Sequence, residues 1–202
     1  MESDLLKKTF LDNLFLDFSK NIDISPEDWA YFSSLFTLKE FAKGEKLLAP
    51  GDRSDLVYYI GSGAVKREIL SQTGKAQVIS FDGPGRIVSD FVSLIEGHSC
   101  RIYIEALTPT YALEGEPNFL QKLREKSSIW DKNGRIVAEK RYAEKCSREF
   151  NLLYYEAKER VKMFLAEFED ILPFIAKKDM ANYIGITPES LHRIIRTEKT
   201  NF

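Results

Sequence analysis

The sequence has few residues of the kinds that build metal centres or disulfide frameworks. Only two of its 202 residues are cysteine, Cys100 and Cys146, and two are histidine, His98 and His192. Two thiols are too few for a disulfide framework, for a zinc site built on cysteine or for an iron–sulfur cluster with about four thiolates. Two histidines give little support for haem. We therefore expect a reduced, cytoplasmic protein without a metal site or other cofactor.

The sequence also lacks an excess of positive charge and a long uncharged stretch. Lysine and arginine number 29 against 31 for aspartate and glutamate, so any contact with nucleic acid must come from a local surface. No run of about 18 residues is free of charge, and the N-terminal segment mixes acids and bases with its apolar residues. We expect neither a membrane span nor a signal peptide.

The remaining composition is that of an ordinary globular protein, with 44% hydrophobic residues. Residues 1–36 predict two helices, the second opened by Ser25 as N-cap and Pro26 at the first helical position. From residue 37 to residue 113, short β-branched and aromatic runs alternate with glycine, and seven of the eleven glycines lie between residues 44 and 85. This pattern predicts an all-β sandwich or roll of roughly eight strands.

Beyond Pro117 the sequence turns to helix-forming residues, and we predict one long helix over residues 128–155. Along it, apolar residues recur every seven positions at Ile129, Ile136, Ala143, Phe150 and Ala157. Such a row fits either a helix that lies on the β-roll or one edge of a coiled-coil dimer seam. Both can hold, because a long helix has more than one face.

The C-terminal segment KKDMANYIGITPESLHRIIR carries the sharpest motif. A helix over residues 177–183 ends near Gly185, which can adopt a positive φ, and Thr187 can cap a second helix. Ala181 is small where two helices would cross, and Leu191 is apolar on the second helix. This spacing is typical of a helix-turn-helix.

The second helix of the motif separates its polar and apolar residues at about 100° per residue. Its polar face presents Glu189, His192, Arg193 and Arg196, and its apolar face Leu191, Ile194 and Ile195. In a DNA major groove an arginine can bind guanine O6 and N7, and a glutamate can accept from cytosine N4. The alternative is an amphipathic hairpin that docks on its own protein while its charges face solvent.

Five segments together resemble the Crp/Fnr family of bacterial transcription regulators. They are FAKGEKLLAPGD (41–52), YYIGSGAVK (58–66), TGKAQVISFDGPG (73–85), IVSDFVSLIEG (87–97) and IGITPESLHRI (184–194). SDFVSL, followed by YIEAL and IGITPESL, is similar to the branch of the family found in Bacteroidetes-type bacteria. The resemblance covers nearly the whole chain.

The resemblance implies an α+β protein: an effector-binding β-roll with N-terminal helices (1–127), a dimerisation helix (128–155) and a helix-turn-helix unit (156–202). It implies a homodimer, with double-stranded DNA and RNA polymerase as partners and no role for a membrane. The dimer interface would contain Ile129, Ile136, Ala143 and Phe150. The residues expected on DNA are Thr187, Glu189, Ser190, His192, Arg193, Arg196, Lys177 and Lys178.

The resemblance places the effector pocket at Ser89, Asp90, Phe91, Cys100 and Arg101. In members that bind cyclic AMP, a Gly-Glu pair and an Arg-Ser pair hold the ribose and the phosphate. Here Ser89-Asp90 stands at the first pair. The second pair falls on Cys100-Arg101, or on Arg101-Ile102 if one residue is inserted, so the arginine is at best displaced and its hydroxyl neighbour is missing. We expect no cyclic AMP binding, and either another small effector or none. Cys100 would be a redox sensor only if Arg101 lowered its pKa; a small buried hydrophobe is the alternative.

Two other functional classes compete with a DNA-binding regulator. A cupin-type enzyme would share the roll, but its metal site needs clustered histidines, and the roll contains His98 alone. We therefore expect no enzyme. The second rival is a ligand-binding or dimerisation module that reads no DNA. Family members often have a β-hairpin wing after the second helix, and residues 197–202 are too few for two strands.

Overall fold

Two helices precede the first strand in the computed structural model, which describes residues 2–53 and 55–199. They are α1 (Glu2–Ser19) and α2 (Pro26–Ser34). The hydroxyl oxygen of Ser25 accepts the Asp28 N–H at 3.1 Å and caps α2, as predicted. The last three residues of the segment 197–202, discussed above as too short for a wing, lie outside the described part of the chain.

Eight strands follow and form two four-stranded antiparallel sheets, which confirms the predicted roll. They are β1 (Phe36–Phe41), β2 (Lys46–Leu48), β3 (Tyr58–Ser62), β4 (Val65–Leu70), β5 (Ala76–Asp82), β6 (Ile87–Val88), β7 (Tyr103–Ala106) and β8 (Thr110–Gly115). The strand orders are β1-β8-β3-β6 and β2-β7-β4-β5. Gly63 turns the chain between β3 and β4 at φ +85°, where a Cβ would lie 2.6 Å from the Pro109 carbonyl oxygen.

Two hydrophobic cores lie on either side of the first sheet. Between the sheets, alternate strand residues such as Ile60, Val65 and Ile104 are fully buried. Outside the first sheet, α1 and α2 pack through a cluster of aromatic rings in which Phe32 stacks on Trp130 at 4.6 Å. The N-terminal helices are therefore part of the roll's own core.

Three helices lie on the roll or beside it. They are α3 (Phe91–Glu96), α4 (Phe119–Lys126) and α5 (Ile129–Tyr154). Both ends of the observed α5 lie within one residue of the predicted boundaries. The sequence analysis did not predict α4 as a separate helix. Tyr155 adopts an extended conformation after α5, so Ala157, the last member of the seven-residue row, belongs to the next helix.

The row on α5 divides into two parts. Ile129 and Ile136 pack against the core formed with α1 and α2. Ala143 and Phe150 are exposed, Phe150 by 53%. In a single chain, the first half of α5 therefore lies on the roll and the second half presents apolar side chains to solvent.

The C-terminal unit consists of short helices around one core that is shared with the roll. They are α6 (Ala157–Glu167), a 3-10 helix (Glu169–Phe174), α7 (Lys177–Ile184) and α8 (Pro188–Lys199). Phe81 of β5 contacts the rings of Phe164, Phe168 and Tyr183 at centroid distances from 5.5 to 5.8 Å. The C-terminal unit is thus docked on the outer strand of the second sheet.

Candidate functional site

The C-terminal segment forms a helix-turn-helix in which α7 and α8 cross at small and apolar residues. Ala181 is fully buried, and Leu191 is 1% exposed. Gly185 ends α7 at φ +77°, and its N–H donates to the Ala181 carbonyl at 3.0 Å. The Thr187 hydroxyl accepts the Ser190 N–H at 3.2 Å and so caps α8.

The polar residues of α8 point away from the rest of the protein. Glu189, His192, Arg193 and Arg196 are exposed, while Ile194 and Ile195 on the opposite face are half-buried. Hydrogen bonds from its own backbone and from Thr187 lower the pKa of Glu189, so its side chain is an ionised acceptor at neutral pH.

The other residues predicted for DNA contact lie at the edges of this face. Thr187, Lys177 and Lys178 are exposed, the two lysines in the first turn of α7. Ser190 is half-buried, and its hydroxyl lies 3.2 Å from that of Thr187. The N-terminal turn of α8 and its charged face are therefore accessible to a large ligand.

In the predicted effector pocket, Asp90 has a structural task. It is buried and caps α3, where its carboxylate accepts from the Ser93 hydroxyl at 2.7 Å and from the Arg101 N–H at 2.9 Å. Burial by itself raises the pKa of Asp90, but these hydrogen bonds outweigh it and lower the pKa overall. Ser89 is also buried, and its hydroxyl donates to the Leu56 carbonyl at 2.8 Å.

The other three residues predicted for that pocket are Phe91, Cys100 and Arg101, and not all of them face the cleft. Phe91 and Arg101 line the same cleft as Ser89 and Asp90, but Cys100 does not. The Arg101 side chain is 56% exposed, with its nearest carboxylate, Glu96, at 4.0 Å. Cys100 is buried, and burial raises the pKa of its thiol despite the neighbouring Arg101. The thiol stays protonated at neutral pH, which is the chemistry of a small hydrophobe.

The cleft continues from this pocket to the C-terminal unit and encloses about 950 Å³. Among its lining residues, the Asp82 side chain is completely buried beside three arginines, with oxygen-to-nitrogen distances of 2.9 Å to Arg67, 3.3 Å to Arg141 and 3.5 Å to Arg86. Burial alone raises the pKa of Asp82, but the three guanidinium groups lower it overall. Glu144 on α5 pairs with Arg86 at 2.7 Å and Arg141 at 3.1 Å.

Sequence reasoning missed this charge cluster because its members are far apart in the chain. Arg141 lies 59 residues after Asp82, and no local spacing connects them. Within residues 2–53 and 55–199, no group of three histidine, cysteine or acidic residues is arranged to hold a metal ion. The same residues contain no helix that is both long and apolar enough to cross a membrane.

Comparisons with known proteins agree with this architecture. Residues 38–127 match the family model of the cyclic nucleotide-binding domain. The nitrogen fixation regulation protein FixK of Rhizobium meliloti is 26% identical over 167 residues, which are 77% of this chain and 72% of FixK.

Two solved structures share the fold over most of their length. FixK2 from Bradyrhizobium japonicum has a TM-score of 0.73 at 22% identity, covering 82% of this chain and 85% of FixK2. A protein from Eubacterium rectale assigned to the Crp/Fnr family of transcriptional regulators has a TM-score of 0.67 at 17% identity, covering 89% of this chain and 85% of that protein. The matched domain, the related regulator and the common fold support the resemblance of this chain to the Crp/Fnr family.

Proposed function

We propose that the protein is a cytoplasmic, non-enzymatic transcription regulator that binds double-stranded DNA as a homodimer and reads a two-fold-symmetric site with α8. The observation that carries this proposal is the exposed face of α8, where Glu189, His192 and Arg193 follow an accessible, capped N-terminal turn. A recognition helix reads base edges with the residues of its N-terminal half.

Each side chain on this face has a chemistry suited to one part of the duplex. The Arg193 guanidinium can bind guanine O6 and N7 together, and the ionised Glu189 can accept from cytosine N4. Lys177, Lys178 and Arg196 are suited to the phosphates, which position a protein without reading its sequence. Thr187, Ser190 and His192 supply further donors and acceptors in the same groove.

The second half of α5 supports the homodimer. Leu153 is 82% exposed, Tyr154 69% and Phe150 53%, and the Phe150 and Tyr154 rings stack at 5.0 Å. Exposed apolar side chains at this density mark interaction surfaces. A second copy of α5 would cover them and would place two α8 helices on two half-sites, since a two-fold dimer matches a palindromic site.

For the effector, we propose that cyclic AMP is not the ligand. The Asp90 carboxylate already accepts from Ser93 and from the Arg101 backbone, and the Arg101 side chain is open to solvent. A phosphate in that end of the cleft would be without a buried cationic partner. RNA polymerase is the protein partner that we propose from the family resemblance.

One observation favours the alternative of a module that reads no DNA. The first helix of the motif, α7, is docked on the roll, where Asp179 lies 3.6 Å from the buried Lys66 of β4. If the motif served only for this docking, however, the exposed charges of α8 would have no function, and for that reason we favour the regulator.

A random-sequence DNA selection with the purified full chain separates the two. Enrichment of a two-fold-symmetric site is expected for the regulator, while no enrichment would support the module.

A further inference from the structure

The end of the large cleft that includes the C-terminal unit is built from three parts of the protein. The roll contributes Arg67, α5 contributes Lys145 and Arg148, and the C-terminal unit contributes Phe168 and Tyr183. A ligand in this end of the cleft would therefore touch both the roll and the helix-turn-helix unit.

The charges of the cleft are not evenly matched. Arg67, Arg86 and Arg141 each pair with Asp82, and Glu144 is a second carboxylate partner for Arg86 and Arg141. Lys145 and Arg148, in contrast, form no ion pair with any carboxylate in the described ranges 2–53 and 55–199. Since they are three residues apart on α5, they lie on the same side of the helix.

Arg148 has an incomplete set of partners. One terminal nitrogen donates to the Tyr183 carbonyl at 3.1 Å, and the guanidinium carbon lies 4.4 Å from the centre of the Tyr183 ring. Its Nε is buried, and it has no hydrogen-bond partner among the residues that the structure describes. A buried donor without an acceptor is unfavourable, so an acceptor supplied from outside would stabilise this arrangement.

The electrostatic environment points the same way. Burial lowers the pKa of Lys145, and the nearby Arg67 and Arg148 lower it further. Glu167 also lines the cleft, where burial and the neighbouring Glu144 raise the pKa of its carboxyl while Arg86 and Arg148 lower it. Arg67 and Arg148 thus place like charge beside Lys145, and an anion bound between Lys145 and Arg148 would relieve this repulsion.

The walls beside these two cations are flat and apolar. The Tyr183 ring lies below Arg148. The centroids of the Phe168 and Tyr183 rings are 5.5 Å apart. Ile171 of the 3-10 helix lines the cleft next to Phe168. Rings and aliphatic side chains of this kind favour a planar hydrocarbon body over a sugar.

We propose that this end of the cleft binds a small organic anion, with its charged group between Lys145 and Arg148 and a flat apolar body against Phe168 and Tyr183. The ligand would extend the proposed regulatory function, because it would join the roll to the unit that carries α8. The site itself does not depend on DNA binding, and its test contains no DNA.

The test uses 8-anilinonaphthalene-1-sulfonate (ANS), an aromatic anion whose fluorescence rises in apolar sites. The full-length protein is titrated with ANS, together with the variants Lys145→Gln and Arg148→Gln. Lys132→Gln removes a charge from an exposed position on the same helix and is the matched control. N-phenyl-1-naphthylamine, which has the same rings without the sulfonate, reports binding that needs no cation.

We expect saturable ANS binding, weakened roughly tenfold or more by Lys145→Gln and by Arg148→Gln and unchanged by Lys132→Gln. The neutral probe should bind equally to the unmodified protein and to Lys145→Gln. Because Lys145 forms no ion pair among the residues that the structure describes, its variant tests the site even if Arg148→Gln loosens the docking of Tyr183. Absence of saturable ANS binding, or equal ANS affinity in the unmodified protein and Lys145→Gln, would overturn the proposal.

Discussion

The side-chain amide of Asn182 pairs with the backbone of β5 around Val78 as a neighbouring strand would. Its Oδ1 accepts the Val78 N–H at 2.7 Å, and its Nδ2 donates to the Ala76 carbonyl at 3.0 Å. Asn182 is part of α7, so the amide attaches the first helix of the motif to the exposed edge of the second sheet. The direction of α8 relative to α5 is thereby set by contacts with the roll.

We predict that Asn182→Ala loosens this attachment. It removes the acceptor of a backbone N–H, and loss of a hydrogen bond of this kind costs about 0.5 to 1.5 kcal/mol. Hydrogen exchange at the Val78 amide should accelerate by roughly threefold to tenfold, since about 1.4 kcal/mol corresponds to a factor of ten.

Asn13→Ala, at an exposed position of α1, is the control and should leave exchange at Val78 unchanged. Equal protection of Val78 in the unmodified protein and in Asn182→Ala would show that the amide does not hold α7.

Asp82→Asn should be strongly destabilising. It removes the carboxylate that pairs with Arg67 and leaves Arg86 and Arg141 with Glu144 alone, and removing one partner of a buried ion pair costs about 3 to 5 kcal/mol. Urea unfolding measures the loss. Asp12→Asn, which breaks an exposed pair with Lys8 on α1, is the control and should cost about 1 kcal/mol or less.

Stability should fall in acid because of the same cluster. The folded-state pKa values of Asp82 and Glu144 lie below their ordinary values of 3.8 and 4.5. Their contribution to the free energy of unfolding is therefore complete above the ordinary pKa values. It is lost as the pH falls through the lower pKa values of the folded state.

Urea unfolding between pH 6 and the acid limit of folding should give a free energy that declines below about pH 4.5. Glu144→Gln should make that decline shallower. An identical pH dependence in the variant would rule out Glu144 as one of its sources.

The local features of the fold could be predicted from the sequence, and the contacts between distant segments could not. Ser25, Gly185 and Thr187 act through neighbours within a few residues, so helix starts and the helix-turn-helix follow from their spacing. The pairing of Asn182 with Val78 spans 104 residues, and its strength depends on a strand edge that only the folded sheet creates.

The candidate site divides in the same way. The polar face of α8 could be predicted from the sequence, because it lies on one helix whose side chains repeat every 3.6 residues. The cleft needs the roll, α5 and the C-terminal unit together. Only their packing reveals that Asp82 pairs with arginines while Lys145 and Arg148 pair with no carboxylate in the described part of the chain.

Phe150→Lys should convert a dimer to a monomer. Phe150 is exposed in the single chain and belongs to the apolar row of α5, so a lysine there would place like charges opposite each other across a two-fold seam. Light scattering at micromolar concentration measures the mass.

Leu5→Lys changes an even more exposed apolar residue, on α1, and should remain dimeric. A dimer of Phe150→Lys that is as stable as that of the unmodified protein would place the interface elsewhere.

Cyclic AMP at millimolar concentration should leave the melting temperature unchanged. A ligand that binds only the folded state raises the melting temperature with the logarithm of its concentration above Kd. At the Ser89–Asp90 end of the cleft, the Asp90 carboxylate is already hydrogen-bonded and the Arg101 side chain is open to solvent, so the phosphate would gain no buried partner from Arg101. A rise in melting temperature that continues with the cyclic AMP concentration would mean that Arg101 turns inward to reach the phosphate.

The most direct test of the account compares Arg193→Ala and Arg196→Ala in a DNA-binding assay on the selected site and its single-base variants, at several salt concentrations. Arg193→Ala should cost about 1 to 3 kcal/mol and relax base preference at one position, the result expected for loss of a two-point guanine contact. Arg196→Ala should weaken binding to all sequences alike and lower the salt slope by about one unit. If Arg193→Ala changed neither affinity nor base preference at fixed salt, α8 would not be the helix that reads DNA.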